Sequence, residues 1–430
     1  MASIYRDQKL LDAFKDIPGD TKASDVSTVD VLDWNQEARF YRLISHKVTV
    51  PELAQLPVPF LRIIFSSLDL PNSGSMDKFR WIFDHYSVPS AFLAGRLRCR
   101  LAISFRPLVA DVHFYIGAWF HYLCKNVTVA HDFHGKAAIS DPRPGAMRLE
   151  HGDSTWIRSG YFIRWKLNLN HDPEVTLLCF GASHCLKERL QQIPTSSIPN
   201  SLALDPYSLF AIILEELSLQ MDNTVWDVMD VFRDIELNTL TTTRGSESFT
   251  GLHNVSKHIL FLQESSEAAM LTLKSMMCHH QRILDTVSSS SHQATQAAQG
   301  MLAHTETQFQ SIGLRLQSLE KRMANIIALS FHLVTQDGNR IMQEDSSSMA
   351  TIAFVTLVFL PMSTVSTVFG SQFFNFDPYL VRISQSFWIF WLVSIPLTLV
   401  VLLFWRVSIG RVQLPETWDI LKVWKRRCKC

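Results

Sequence analysis

Several things are scarce in this chain, and each absence removes a class of function. There is no charge imbalance: lysine plus arginine and aspartate plus glutamate both number 40 in 430 residues. A nucleic-acid binder would carry a basic excess or stripe. The dense basic run here is confined to Lys422, Lys425, Arg426, Arg427 and Lys429. Cysteine is sparse and odd in number, seven residues at 99, 124, 179, 185, 278, 428 and 430, with no CxxC pair. That pattern points to reduced thiols in the cytosol rather than a disulfide framework. No GxxxxGK[ST], GxSxG or GxGxxG motif occurs, so neither a nucleotide-driven pump nor a hydrolase is indicated. The first twenty residues hold Asp7, Asp12, Asp16 and Asp20 without a long apolar run, unlike a secretory signal or an Arg-rich transit peptide.

The most informative absence is charge within two long stretches. Ser346–Phe376, with an apolar core at about Met349–Phe369, and Ile383–Trp405 contain no charged residue. About 20 apolar residues cross the hydrocarbon of a bilayer as a helix. Soluble core helices, the competing explanation, rarely run so far without a charge. Pro361 and Pro396 lie inside the segments, where membrane helices tolerate proline because neighbours satisfy the freed carbonyl. Trp388 and Trp391 near one end of the second segment and Trp405 at the other fit an aromatic belt.

Loop charges set an expected orientation. The connector at 372–385 has one cation, Arg382, and one anion, Asp377. The tail carries Arg406, Arg411, Lys422, Lys425, Arg426, Arg427 and Lys429, which places it in the cytosol by the positive-inside rule. Two spans return the chain to its starting side, so both termini are expected in the cytosol. The sequons at Asn126 and Asn254 would then go unused. Which membrane is involved is not encoded.

The remainder reads as an α+β cytosolic domain over 1–200, a helical arm and stalk over 201–345, a transmembrane domain over 346–406 with helices at about 349–369 and 384–405, and a basic tail over 407–430. Strand-like patterns run from about Phe40 to Gly181, notably Arg96–Phe105, Trp156–Leu169 and Val175–Phe180. Turn chemistry marks Asp141–Gly145. Helices are expected around Leu53–Phe65 and Asp77–His85. A Ser/Pro linker at 191–204 precedes Asp205 as a helix cap with Pro206 at the first position. Apolar residues then recur at Leu209, Ile213, Leu217, Met221, Val225, Met229 and Phe232. A second helix is expected over Leu252–Val287. The third carries Phe309, Ile312, Leu316, Leu319, Met323, Ile326 and Leu333 in steps of three and four, broken at Ser330. It is expected to continue through Asn339, Glu344 and Ser348 into the first span.

Three runs in this region have a familiar look: Leu329-Ser-Phe-His-Leu-Val-Thr-Gln-Asp337, Asp345 through Pro361, and Phe373-Phe-Asn-Phe376. With Phe387-Trp-Ile-Phe-Trp-Leu-Val-Ser-Ile-Pro-Leu-Thr398, they resemble the fungal branch of the CorA-like divalent-cation (Mg²⁺) transporters. The resemblance covers roughly Asp205 to Trp405. It implies a homopentamer whose first spans line a pore and whose second spans form an outer ring, with cytosolic divalent ions bound between subunits holding the closed state. It implies a channel passing Mg²⁺ or a related divalent cation down its electrochemical gradient, not an enzyme, with no cofactor besides the ion as cargo and regulator. The partners implied are the bilayer, copies of the chain and the cation, with no nucleic acid.

At the pore mouth the family carries Gly-Met-Asn, and here the matching residues are Gly370, Ser371 and Gln372. Five glutamine amides would still bind a hydrated ion, but each swings on one more methylene, so weaker or less selective capture is expected. The junction between Glu344 and Asp345 is about two helical turns shorter than the family pattern. Ser363 and Thr367 match family pore positions, Thr356 shares their face by spacing, and Met349 matches a constriction. The alternative is that these hydroxyls bond back to their own helix. A divalent cation entering gains roughly 4.6 kcal/mol per 100 mV of inside-negative potential, so conduction needs no fuel. A non-conducting, membrane-anchored structural or regulatory protein of the same fold is the competing function. Metal ligands are unassigned. His131-Asp-Phe-His134 and Cys278-His-His280 lack a complete zinc set and read better as solvated or core histidines. Cys428 and Cys430 beside basic residues could carry palmitate, an unmodified tail being simpler.

Overall fold

The structure, a computed structural model, describes residues 28–37, 40–66, 76–89, 92, 108–110, 115–131, 135–139, 151–152, 154–166, 174–193, 205–241, 249–286, 292–377, 380–383 and 387–412. Its tertiary contacts divide it into two units, Met1–Phe331 and His332–Cys430.

The first unit is built on a seven-stranded sheet. Its strands are β1 (Thr28–Glu37), β2 (Phe40–Thr49), β3 (Leu61–Ser66), β4 (Leu108–Ala110), β5 (Tyr115–Asn126), β8 (Thr155–Lys166) and β9 (Val175–Phe180). The small strands β6 (Val129–His131) and β7 (Ala137–Ile139) pair separately. The sheet order is β2-β1-β3-β9-β8-β5-β4, antiparallel except for β3 against β9. Those two strands are buried at every residue, Leu61–Ser66 and Val175–Phe180. Continuous burial explains their unbroken apolar runs, the usual signature of a strand covered on both faces.

Leu53–Phe65, expected as a helix, is corrected. Only Val50–Leu53 is helical (α1), and Leu61–Phe65 lie in β3. Pro57 and Pro59 intervene, and two prolines two residues apart disfavour helix for the residues before them and remove two N–H donors. Ile63 and Ile64 are β-branched and favour the strand. β1 lies N-terminal to the point where strand patterning was legible, because Asp33 and Asn35 blur its alternation. The helix at Met76–His85 (α2) agrees with expectation. Arg96–Phe105 and Asp141–Gly145 lie outside the described residues. A short helix, His184–Gln191 (α3), capped by Ser183 Oγ accepting from Leu186 N at 3.2 Å, has no counterpart in the sequence reading.

Three long helices follow: α4 (Tyr207–Thr241), α5 (Phe249–Thr286) and α6 (His292–Phe373). Asp205 caps α4 through Oδ1, which accepts from Tyr207 N at 3.1 Å. The α4 stripe is buried, apart from Met229, which is partly so. Ordered pairs fix the directions. Ser218 bonds Gln308, Asp222 pairs with Arg315 and Glu236 with Arg322, so α4 and α6 run parallel. Tyr207 meets His279 near the far end of α5, so α5 is antiparallel to α4. Phe309, Ile312, Leu316, Leu319, Met323 and Ile326 are all buried in the same core. Leu333 is only partly buried.

Alternate sheet residues serve two cores. Phe120, Tyr161 and Ile163 pack with the long helices, whereas Trp119 and Phe162 pack with α1, α2 and Phe92. Side chains of successive strand residues point to opposite faces, so adjacent aromatics part company. Sheet and helical arm therefore share one hydrophobic core.

A polar junction joins β5, β8 and α5. His258 is buried and its Nε2 donates to the His151 carbonyl oxygen at 2.8 Å. Burial pushes its imidazole down to about 4, the hydrogen bond to His151 opposes this, and the charges of Lys125 and Lys257 push the same way as burial. Unfolded histidine titrates near 6.5. Between the two values only the unfolded chain binds the proton, so stability is fully present above pH 6.5 and falls as pH drops towards 4. The expected loss is at most about 3 kcal/mol. Acid denaturation of wild type against His258→Gln, which keeps a donor to His151 and cannot titrate, measures it. Equal acid sensitivity would refute the assignment.

Candidate functional site

The second unit holds the remainder of α6, a two-stranded ladder and α7 (Trp388–Val412). The ladder pairs β10 (Phe374–Asp377) with β11 (Leu380–Ile383), antiparallel, Asn375 opposite Arg382. The uncharged stretches therefore run past the helices themselves. The first helix ends at Phe373, so 374–376 are strand, and Ile383 belongs to β11. The second helix starts at Trp388 and continues past Trp405 to Val412.

Two helical segments here are long and apolar enough to cross a membrane. One lies within Thr295–Val368 and the other is Trp388–Val407, with mean hydropathy 1.8 and 2.2 in their best windows. Only 11% and 6% of those windows is buried. A core helix of this composition would be mostly buried within the chain, and these two are not.

The first helix has two dissimilar faces. Pro361 and Val365 are buried, Leu357 and Val358 partly so, and Phe354 meets Trp405 of α7 with ring centroids 6.1 Å apart. Those residues recur at steps of three and four and form the side turned to α7. Ser394 of α7 is fully buried there. At 3.6 residues per turn, Thr356, Ser363 and Thr367 lie roughly half a turn round from Val365. All three are exposed. The hydroxyl row thus lies on the side opposite the buried residues Pro361 and Val365. A shallow groove of about 620 Å³ includes part of this row: Thr356 and Ser363 line it together with Val355, Phe359, Leu360, Met362, Ser366 and Phe390 of α7.

Each hydroxyl bonds its own helix. Thr356 Oγ1 donates to Ile352 O at 2.8 Å, Ser363 Oγ to Leu360 O at 2.9 Å and Thr367 Oγ1 to Ser363 O at 2.8 Å. This back-bonding does not silence them. A hydroxyl that has given its proton to a carbonyl keeps acceptor lone pairs, which can receive hydrogen bonds from water around a cation. Pro361 lacks the N–H that would reach Leu357 O, which adds polarity mid-helix.

Met349 is 72% exposed on the same helix. Gly370, Ser371 and Gln372 fall in the last turn of α6, and their side chains lie outside the described ones. The histidine motifs go elsewhere. His131 ends β6, and 132–134 lie outside the described residues. Cys278 is exposed, whereas His279 Nδ1 meets Tyr207 Oη at 2.5 Å and His280 Nε2 meets Asp205 Oδ2 at 2.6 Å. That pair of contacts ties α5 to the start of α4. Among the described residues no three His, Cys, Asp or Glu side chains gather as a metal site. Cys428 and Cys430 lie outside the described residues.

The architecture is an α+β domain, long helices and a pair of apolar helices. No family model matches the chain. The "Notoamide biosynthesis cluster protein M'" of Aspergillus versicolor is 30% identical over 233 residues, 49% of this chain and 50% of that protein. The chain thus spans half the length of that curated relative. Among solved structures, the full-length CmaX protein aligns with TM-score 0.49 and 13% identity, over 90% of this chain and 99% of that one. The complete CorA magnesium transporter from Methanocaldococcus jannaschii aligns with TM-score 0.43 and 11% identity, over 88% and 97%.

Proposed function

We propose that the chain is a CorA-like membrane channel that passes Mg²⁺ or a related divalent cation, as a homo-oligomer whose first helices surround the path. One observation carries this reading. The first apolar helix carries an uncharged, hydroxyl-bearing face opposite its buried residues Pro361 and Val365. In lipid that face gains little. Against copies of itself around an axis it becomes a polar lining. Hydrated Mg²⁺ holds its water tightly, so a lining of acceptor oxygens that contacts the water shell permits passage without costly dehydration. Gly370, Ser371 and Gln372 stand at the mouth of that path in this reading, and Met349 narrows its other end.

The second reading is a membrane-anchored protein of the same fold that does not conduct. Gly-Ser-Gln at 370–372 in place of Gly-Met-Asn favours it. Purified protein in liposomes with an internal Mg²⁺ dye and an inside-negative potential separates the two. Dye response above empty liposomes is the expected result. Silence in wild type, with flux appearing in the Ser371→Met, Gln372→Asn double variant, would establish the second reading.

A further inference from the structure

At the far end of β5 two lysines share one aromatic ring. Lys125 is 6% exposed, and its Nζ lies 4.2 Å from the Phe261 centroid and 5.4 Å from that of Trp156. Lys257 Nζ is 5.9 Å from the same Phe261 ring. Trp156 and Phe261 stand edge to face, 5.6 Å apart. Burial lowers the pKa of Lys125, and the charge of Lys257 lowers it further. No carboxylate among the described residues pairs with either amine. Next to Lys257, the buried His258 keeps Nδ1 without a hydrogen-bond partner.

Among the described residues this arrangement is electrostatically incomplete. Like charges beside one ring repel, and a cation–π contact supplies only about 0.5–2 kcal/mol against burial. Other buried or half-buried cations in this unit do have an acid beside them: Arg62 has Asp33, Arg189 has Glu215, and Lys187 has Asp30. A compact anion with more than one charge would supply what the cluster lacks, and Lys257, being exposed, is free to swing onto it. Trp156, partly exposed, forms one wall.

We infer that Lys125 and Lys257, framed by Trp156 and Phe261, form a docking site for a phosphate-class oxyanion. Such an anion binds by charge-assisted hydrogen bonds to both amines. It would couple β5 to α5, because the two lysines sit on those two elements.

The test titrates the full-length protein in detergent with sodium pyrophosphate by calorimetry, and in parallel with a soluble short-chain phosphoinositide. Saturable binding, at least tenfold weaker in both Lys125→Met and Lys257→Met, is the expected result. Pyrophosphate binding identifies a free phosphate as the source, and binding of the phosphoinositide alone identifies a lipid headgroup. Lys257 is exposed, so its variant keeps the fold even where Lys125→Met does not. Absence of saturable binding to either probe, or equal affinity in wild type and Lys257→Met, would overturn the site. Ion flux plays no part in this readout, so its outcome is independent of conduction.

Discussion

Replacing Arg62 with methionine is expected to destabilise the sheet by about 3–5 kcal/mol, the cost of stranding one buried charge. Arg62 Nε donates to Asp33 Oδ1 at 2.9 Å, Nη2 to Asp33 Oδ2 at 2.8 Å, and Nη2 also to Pro57 O at 2.7 Å. The two side chains are 6% and 4% exposed. They face each other across the β1–β3 ladder, directly in register. Burial works against the guanidinium charge, but the hydrogen bond and the charge of Asp33 prevail and raise its pKa. Removing Arg62 leaves the Asp33 carboxylate among apolar neighbours with no cation. Hydrogen exchange of the β1 and β3 amides reads the effect, with protection expected to drop by roughly two to four orders of magnitude. The double variant Asp33→Leu, Arg62→Met should recover most of it, since both charges are then gone. A single variant within about 1 kcal/mol of wild type would contradict the burial argument.

The second large effect follows from the proposed channel reading. Cysteine placed at Ser363 and then modified by a membrane-impermeant cationic thiol reagent is expected to cut flux at least tenfold. A fixed positive charge in a narrow path repels a divalent cation, and at an effective dielectric of about 20 two nearby charges interact by several kcal/mol. Thr356→Cys and Thr367→Cys should respond alike, because spacing places them on the same face. Val368→Cys is the contrast: it is exposed but helical spacing puts it on the flank nearer α7, where on this reading the reagent would not reach the path. The unsubstituted protein must be treated in parallel, since Cys185 and Cys278 are exposed. If modification at 356, 363 and 367 leaves flux unchanged while unmodified channels conduct, the hydroxyl row does not line the path.

Long-range periodicity was readable residue by residue. The seam from Phe309 to Ile326 and the stripe from Leu209 to Phe232 required only a constant step of three or four, which survives any tertiary arrangement. The apolar helices were legible for the same reason, their composition being dictated by their surroundings rather than by a partner. Element edges were less so. Ile383 and Phe374–Phe376 are as apolar as the spans beside them, and pairing across the short β10–β11 ladder, a non-local event, made them strands. β3 was misread because its two isoleucines and one phenylalanine fit either period. Only its place between β1 and β9 decides between them.

The candidate site divides the same way. Thr356, Ser363 and Thr367 fall on one face by arithmetic alone. That this face lies opposite the helix's buried side needed Val365 and Pro361 buried there and Phe354 against Trp405. The histidines of Cys278-His-His280 read from sequence as solvated or core residues, and the packing of α5 against the start of α4 supplied their partners, Tyr207 and Asp205. Lys125 and Lys257 are 132 positions apart, so nothing local joins them. The sequence by itself determined which segments avoid water, because transfer free energy is a property of the side chains. The tertiary structure alone decided which polar groups meet, because a hydrogen bond or an ion pair depends on distances that only the closed chain sets.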